Sequence, residues 1–168
     1  CGRLGRGGGR VRRDGARGVG GGDGFDLAVV DDPSSAAYGK GHGQDLPKAL
    51  QGRDPSRPVV LLAHQPKGIH LVDELGVDLQ LSGHTHGGQV RIPFGPTFHV
   101  PSRYGNKFDQ GLVQGWSHRV YVSRGLCTVR WVRFCCPPEV TGIVLLTMPA
   151  LALFAHGPES KRLKNLNF

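Results

Sequence analysis

The run Leu81-Ser82-Gly83-His84-Thr85-His86-Gly87-Gly88-Gln89 constrains this chain more than any other segment. It follows the apolar stretch Val77-Asp78-Leu79-Gln80-Leu81, so it reads as a strand running into a glycine-rich turn. Such a turn holds two imidazoles over one pocket at the edge of a sheet. Neutral imidazole is the commonest metal ligand in proteins, and a histidine platform suits Zn, Mn or Fe. A second apolar run, Pro58-Val59-Val60-Leu61-Leu62-Ala63, ends in His64-Gln65-Pro66. Histidines at the ends of two neighbouring strands converge in space, as a metal centre requires.

The ordered set of these segments resembles the C-terminal half of a calcineurin-like metallophosphoesterase. The likeness is to the bacterial, often membrane-associated branch with Ser-Gly-His-Thr-His-Gly-Gly-Gln. Further segments fit that branch: Val100-Pro101-Ser102-Arg103-Tyr104-Gly105, Tyr121-Val122-Ser123-Arg124-Gly125-Leu126 and Pro137-Pro138-Glu139-Val140-Thr141. The resemblance covers residues 25–147. It implies an α/β fold, part of a four-layered αββα sandwich. It also implies hydrolysis of a phosphoester or pyrophosphate by metal-activated water, with two divalent ions (Mn, Fe or Zn) in the intact site. By resemblance, His64 and His84 bind the second ion and His86 the first. Arg103 and Arg124 are the substrate-binding candidates, because a guanidinium fork matches phosphate geometry. The implied substrate is a phosphorylated small molecule or a lipid-linked phosphate. The implied location is the cytoplasm or the cytoplasmic face of a membrane.

The family's first three motifs, Asp-X-His, Gly-Asp-X-X-Asp and Gly-Asn-His-Asp/Glu, have no counterpart upstream of His64. His42, in Gly41-His42-Gly43-Gln44, lacks the Asn and acidic neighbours, and Asp31-Asp32 lacks the required spacing. The bridging aspartate and the acid histidine are therefore missing, and no catalytic residue is assigned. Two-metal hydrolysis uses ions about 3.5–4 Å apart, and three neutral imidazoles neither bridge nor neutralise two dications. They suffice for one Zn and serve Mn poorly. The expected chain is thus a fragment of a phosphoesterase, weak or inactive by itself. The alternative is a non-catalytic remnant that binds a metal or a partner.

Charge supports three regions. Of the formal +8 over 168 residues, +5 lies in residues 1–22 and +2 in residues 148–168, which leaves a nearly neutral middle. Residues 1–24 are Gly- and Arg-rich and bury too little apolar surface to order, so a disordered tail is expected. One Arg-Gly-Gly element without interleaved aromatics argues against nucleic-acid binding. No apolar segment follows the arginines, so no secretory signal is read. Residues 148–168 form an extension with a basic patch at Lys161, Arg162 and Lys164, suited to peripheral membrane contact. The apolar stretch 140–155 falls short of the ~20 residues a spanning helix needs.

Strands are expected at residues 25–30, 59–63, 77–81, 119–123 and 140–147. Short helices are expected at 44–50, weakened by Pro47, and at 69–75, ended by Gly76. Residues 91–114 read as a long loop. Asp31 and Asp32 read as strand terminators, and His42, His70, His99, His118 and His156 as structural or solvated. Cys1, Cys127, Cys135 and Cys136 contain no C-x-x-C and suit a reducing compartment. Cys127-Thr128-Val129-Arg130-Trp131 stands where relatives usually have Gly-Thr-Ser-Gly, which is expected to shift the loop before the last strand.

Overall fold

The computed structural model describes residues 24–34, 37–38, 44–100, 104–129 and 132–146, and the backbone of 10–12. The remainder of the N-terminal tail, His42, Arg103 and the 148–168 extension lie outside the described residues. Six strands form one mixed sheet: β1 (Arg10–Arg12), β2 (Asp26–Val29), β3 (Val59–Leu62), β4 (Leu79–Ser82), β5 (Gly111–Gln114) and β6 (Arg119–Val122). Their order is β1-β2-β3-β4-β6-β5. The central pairs β2–β3, β3–β4 and β4–β6 are parallel, and β1 and β5 close the edges antiparallel. Three residues of the tail expected to be disordered thus supply an edge strand.

The parallel pairs need crossovers, and two short helices sit in them. Helix α1 (Leu46–Ala49) begins at Asp45, whose carboxylate accepts from the Lys48 N–H. Pro47 does not weaken it, because it sits in the first turn, where its missing N–H costs no helical bond. Helix α2 (Ile69–Glu74) ends at Leu75, and Gly76 takes φ +66° just beyond. Both helices cover one face of the sheet. Leu46, Ala49 and Val72 pack on Ala28, Val59 and Leu61, and Ile69 packs with Phe108, Val120 and Val122. Each fully buried Leu or Val there contributes about 1.5–3 kcal/mol. The arrangement is that of part of an αββα sandwich: one sheet with one helical layer.

Two expected elements differ. Residues 140–145 form no strand. Val140 and Val144 face solvent, and of this segment Leu145 packs against the sheet, beside Val60 and Leu79. The segment is therefore an extended strap, not a ladder strand. The long loop from residue 91 contains a 3-10 turn, Gly105–Phe108, and then β5, whose Val113 packs toward Phe108 and Val120. Among the described residues no helix is long and apolar enough to cross a membrane.

Candidate metal centre

The register of β3 and β4 brings the first two histidines together. Leu62 pairs with Leu81 across the parallel ladder. Beyond the strands, Ala63 N–H donates to Leu81 O at 3.1 Å and Gly83 N–H to His64 O at 3.0 Å. Ser82 Oγ adds a bond to Ala63 O at 2.7 Å. The chain ends are thereby locked side by side, and His84 Nδ1 stands 3.3 Å from His64 Nε2. Two nitrogens bound to one Zn at 2.0–2.1 Å, at the tetrahedral angle, lie about 3.4 Å apart. The pair therefore fits a single ion.

A carboxylate with no site role in the sequence reading lies beside the pair. Asp32 Oδ2 is 3.8 Å from His64 Nε2. Gln65, buried, donates from Nε2 to Asp32 Oδ1 at 2.8 Å and to Ser34 Oγ at 2.9 Å, and the Ser34 N–H donates to Asp32 Oδ1 at 2.7 Å. Burial alone raises the Asp32 pKa, but these bonds, with His64 nearby, outweigh it and hold the carboxyl below its ordinary value. Burial, reinforced by the neighbouring His64, lowers the His84 pKa and favours the neutral ring a metal needs. The strand terminator of the sequence reading is therefore also an anionic neighbour of His64. The signal for it would have been the Asp-Asp-Pro at a strand end parallel to the one ending in His64.

His86 stands apart. Its Nδ1 lies 2.8 Å from Cys127 O. A carbonyl only accepts, so Nδ1 carries a proton, and the neutral form of the ring has its lone pair on Nε2. This is the usual state of a ligating histidine, whose second nitrogen is anchored to a carbonyl or carboxylate. Among the described residues no three His, Cys, Asp or Glu side chains gather closely enough to hold an ion. His64 and His84 thus bring two ring nitrogens together, and His86 stands apart from them.

The turn is strained and tightly built. His84, His86 and Gln89 adopt φ of +70°, +52° and +60°. Left-handed backbone in such residues costs about 1–3 kcal/mol each and clusters at functional sites. Gly87 and Gly88 are obligatory. A Cβ on Gly88 would sit 1.9 Å from Thr97 Oγ1, and one on Gly87 would meet Cys136 Sγ at 2.7 Å and Arg124 Cγ at 2.8 Å. Buried Thr85 donates from Oγ1 to Asp109 O at 2.7 Å, and the Asp109 carboxylate takes Arg91 at 2.5 Å.

Arg124, a substrate candidate, lies against Gly87 with Nε on Glu139 Oε2 at 2.6 Å. Glu139 also accepts from Tyr121 Oη and from Thr141 Oγ1. Burial raises the Glu139 pKa, but the bonds from Thr141, Tyr121 and Arg124 outweigh it and bring it down to about 2. Arg103 lies outside the described residues. Of the remaining histidines, His70 stacks on Trp116 at 3.8 Å, and fully buried His118 bonds Asp73 at 2.7 Å. His99 is exposed in the loop, and His156 lies outside the described residues. Cys127, Cys135 and Cys136 are free thiols.

The chain is 43% identical over 88 residues to an uncharacterized metallophosphoesterase of Bacillus subtilis, a match to 51% of this chain and 30% of that protein. It is 38% identical over 128 residues to the transmembrane protein with metallophosphoesterase domain of Bos taurus, covering 73% and 28%. It is 33% identical over 104 residues to the UDP-2,3-diacylglucosamine pyrophosphatase of Chlamydia trachomatis, covering 57% and 31%. The chain spans about a third or less of the length of these relatives. No family model and no solved structure matches it. Over the matched segment the chain is similar to the C-terminal region of calcineurin-like metallophosphoesterases.

Proposed function

We propose that this chain supplies the histidine side of a metal-dependent phosphoester or pyrophosphate hydrolase. His64 and His84 grip one divalent ion, and His86 offers Nε2 toward a second. The 3.3 Å separation of His64 Nε2 and His84 Nδ1 carries the reading. Zn or Fe suits an imidazole pair better than Mn, which prefers oxygen donors. A divalent ion held by His64 and His84 would supply Lewis-acid chemistry for a phosphoryl oxygen and a water. The chain's own residues do the rest. Asp32 sets a negative charge beside His64, the Gly87-Gly88 backbone keeps the turn clear of side chains, and Arg124 brings a guanidinium next to that turn. Arg103 is the second phosphate contact in this proposal. The pyrophosphatase relative supports a phosphorylated, lipid-linked or small-molecule substrate.

No residue of this chain matches the family's bridging carboxylate, so we propose that the chain alone is a weak or inactive hydrolase. The absence of a third ligating side chain at the His64–His84 pair, among the described residues, favours the second reading: a metal-binding, non-catalytic segment. Calorimetric titration with Zn²⁺, paired with hydrolysis of bis-p-nitrophenyl phosphate, separates them. Zn²⁺ binding lost in His84→Ala, with measurable hydrolysis, supports the enzyme. Binding without hydrolysis removes a hydrolase competent by itself and leaves the inactive segment and the second reading. No Zn²⁺ binding at all sinks both.

A further inference from the structure

We infer that Arg133 is the positioning residue for His86, holding both its strained backbone and the carbonyl that fixes its ring proton. One guanidinium spans the loops around the turn. Arg133 Nη2 donates to Cys127 O at 2.6 Å, to Arg124 O at 2.9 Å and to Gly125 O at 3.3 Å. Its Nη1 donates to Cys136 O at 3.2 Å and to His86 O at 3.4 Å. Cys127 O is the same atom that accepts from His86 Nδ1 at 2.8 Å. Arg133 therefore reaches His86 twice, once at its own carbonyl and once through the acceptor of its ring. The buried Cys136 thiol reinforces the first contact, donating to His86 O at 3.3 Å.

This arrangement has a chemical consequence. His86 holds φ +52°, a backbone state that needs outside support. The planar fork of an arginine supplies several directed donors at once, which a lysine ammonium on a flexible stem does not. With Cys127 O pinned, the neutral His86 ring keeps its proton on Nδ1, and Nε2 is left as the one donor to a metal. Without the pin, both tautomers become accessible and the ring loses its aim. Loss of such an outer partner typically lowers metal affinity about 10–100-fold.

The inference rests on the metal reading only for its final consequence, and the test separates the two. The full chain, ¹⁵N-labelled at histidine and free of metal at pH 8, is examined by long-range ¹H–¹⁵N correlation. His86 is expected to carry its proton on Nδ1; a proton on Nε2 overturns the inference. Arg133→Lys and Arg133→Met are then expected to shift His86 to mixed tautomers while the His64 and His84 signals hold. Any second Co²⁺ that binds through His86 is expected to bind about 10–100-fold more weakly in both variants by visible absorption, while an ion on His64 and His84 is unaffected. Variants with an unchanged His86 tautomer overturn the inference. So does loss of the fold in both, which would make Arg133 part of the scaffold. Wild-type chain that binds no Co²⁺ yet shows the Arg133-dependent tautomer sinks the metal reading and leaves the positioning role standing.

Discussion

The two faces of the sheet are built from the same strands but held by different physics. On the helical face Ala28, Val59, Leu61, Gln80 and Val120 are all fully buried beneath α1, α2 and the loop around Phe108. On the other face, Leu27, Val29, Leu62, Leu81 and Tyr121 are half-buried, and Leu112 is exposed. Val60 and Leu79 are covered there, packed with Phe25 and Leu145. Apolar packing closes the first face. The second is crossed by a strap whose hold combines Leu145 with a polar clasp, Tyr121–Glu139–Arg124 plus Thr141. Apolar packing is indifferent to pH; a carboxylate clasp is not.

The largest expected difference is in truncation. Leu61→Ala opens a cavity under the helices and is expected to cost about 2–5 kcal/mol. Leu62→Ala, one residue on and facing the other way, removes a half-buried side chain and should cost about half as much. Urea denaturation of both variants measures this. Equal losses would mean that the second face is as well covered as the first.

Acid should separate the faces next. Glu139 titrates at about 2 in the fold against an ordinary 4.5. A depressed carboxylate contributes its stability fully above the ordinary value and loses it as pH falls through the folded value. The clasp therefore weakens between about pH 4.5 and pH 2. Asp32, also depressed, acts in the same direction, and Asp73 in α2, bonded to His118, puts a smaller acid-sensitive contact on the helical face. Hydrogen bonds to a charged group are worth about 1.5–3 kcal/mol, so the strap should open while the helical face holds. The Glu139 amide, bonded to Gly125 O at 3.0 Å, reports it. Its hydrogen exchange should accelerate in acid ahead of the β3 amides, and Glu139→Gln should flatten that pH dependence. Simultaneous loss of protection would merge the two faces into one cooperative unit.

The sequence carried the helical face well and the strap badly, for a physical reason. Apolar runs at residues 25–30 and 59–63 bounded by Asp, Pro and Gly leave little choice but buried parallel strands, and β2 and β3 fall inside them. The stretch 140–147 is equally apolar, but pairing depends on whether a ladder partner is in reach, and sequence does not encode that locally. The convergence of His64 and His84 was legible because both end apolar runs that pair as neighbouring strands. Asp32 and Arg133 were not. Each acts across more than thirty residues, Asp32 on Gln65 and Arg133 on His86, through contacts that no spacing rule reveals.

The smallest effect tests how the helical face is covered. The sequence reading made Pro47 a weak point of α1. A proline in a helix interior costs about 3 kcal/mol, so on that view Pro47→Ala should stabilise the fold strongly. In the structure Pro47 follows Leu46 in the first turn, with Asp45 capping the Lys48 N–H at 3.1 Å. There the ring breaks no helical bond and restricts the unfolded chain. Pro47→Ala should therefore cost about 0.4–1 kcal/mol. Leu46 and Ala49 should remain packed on Ala28 and Leu61, since the lid is set by their burial and not by the intrinsic helicity of four residues. A gain of stability in thermal unfolding would place the proline inside the helix and make α1 a strained cover over the better-packed face.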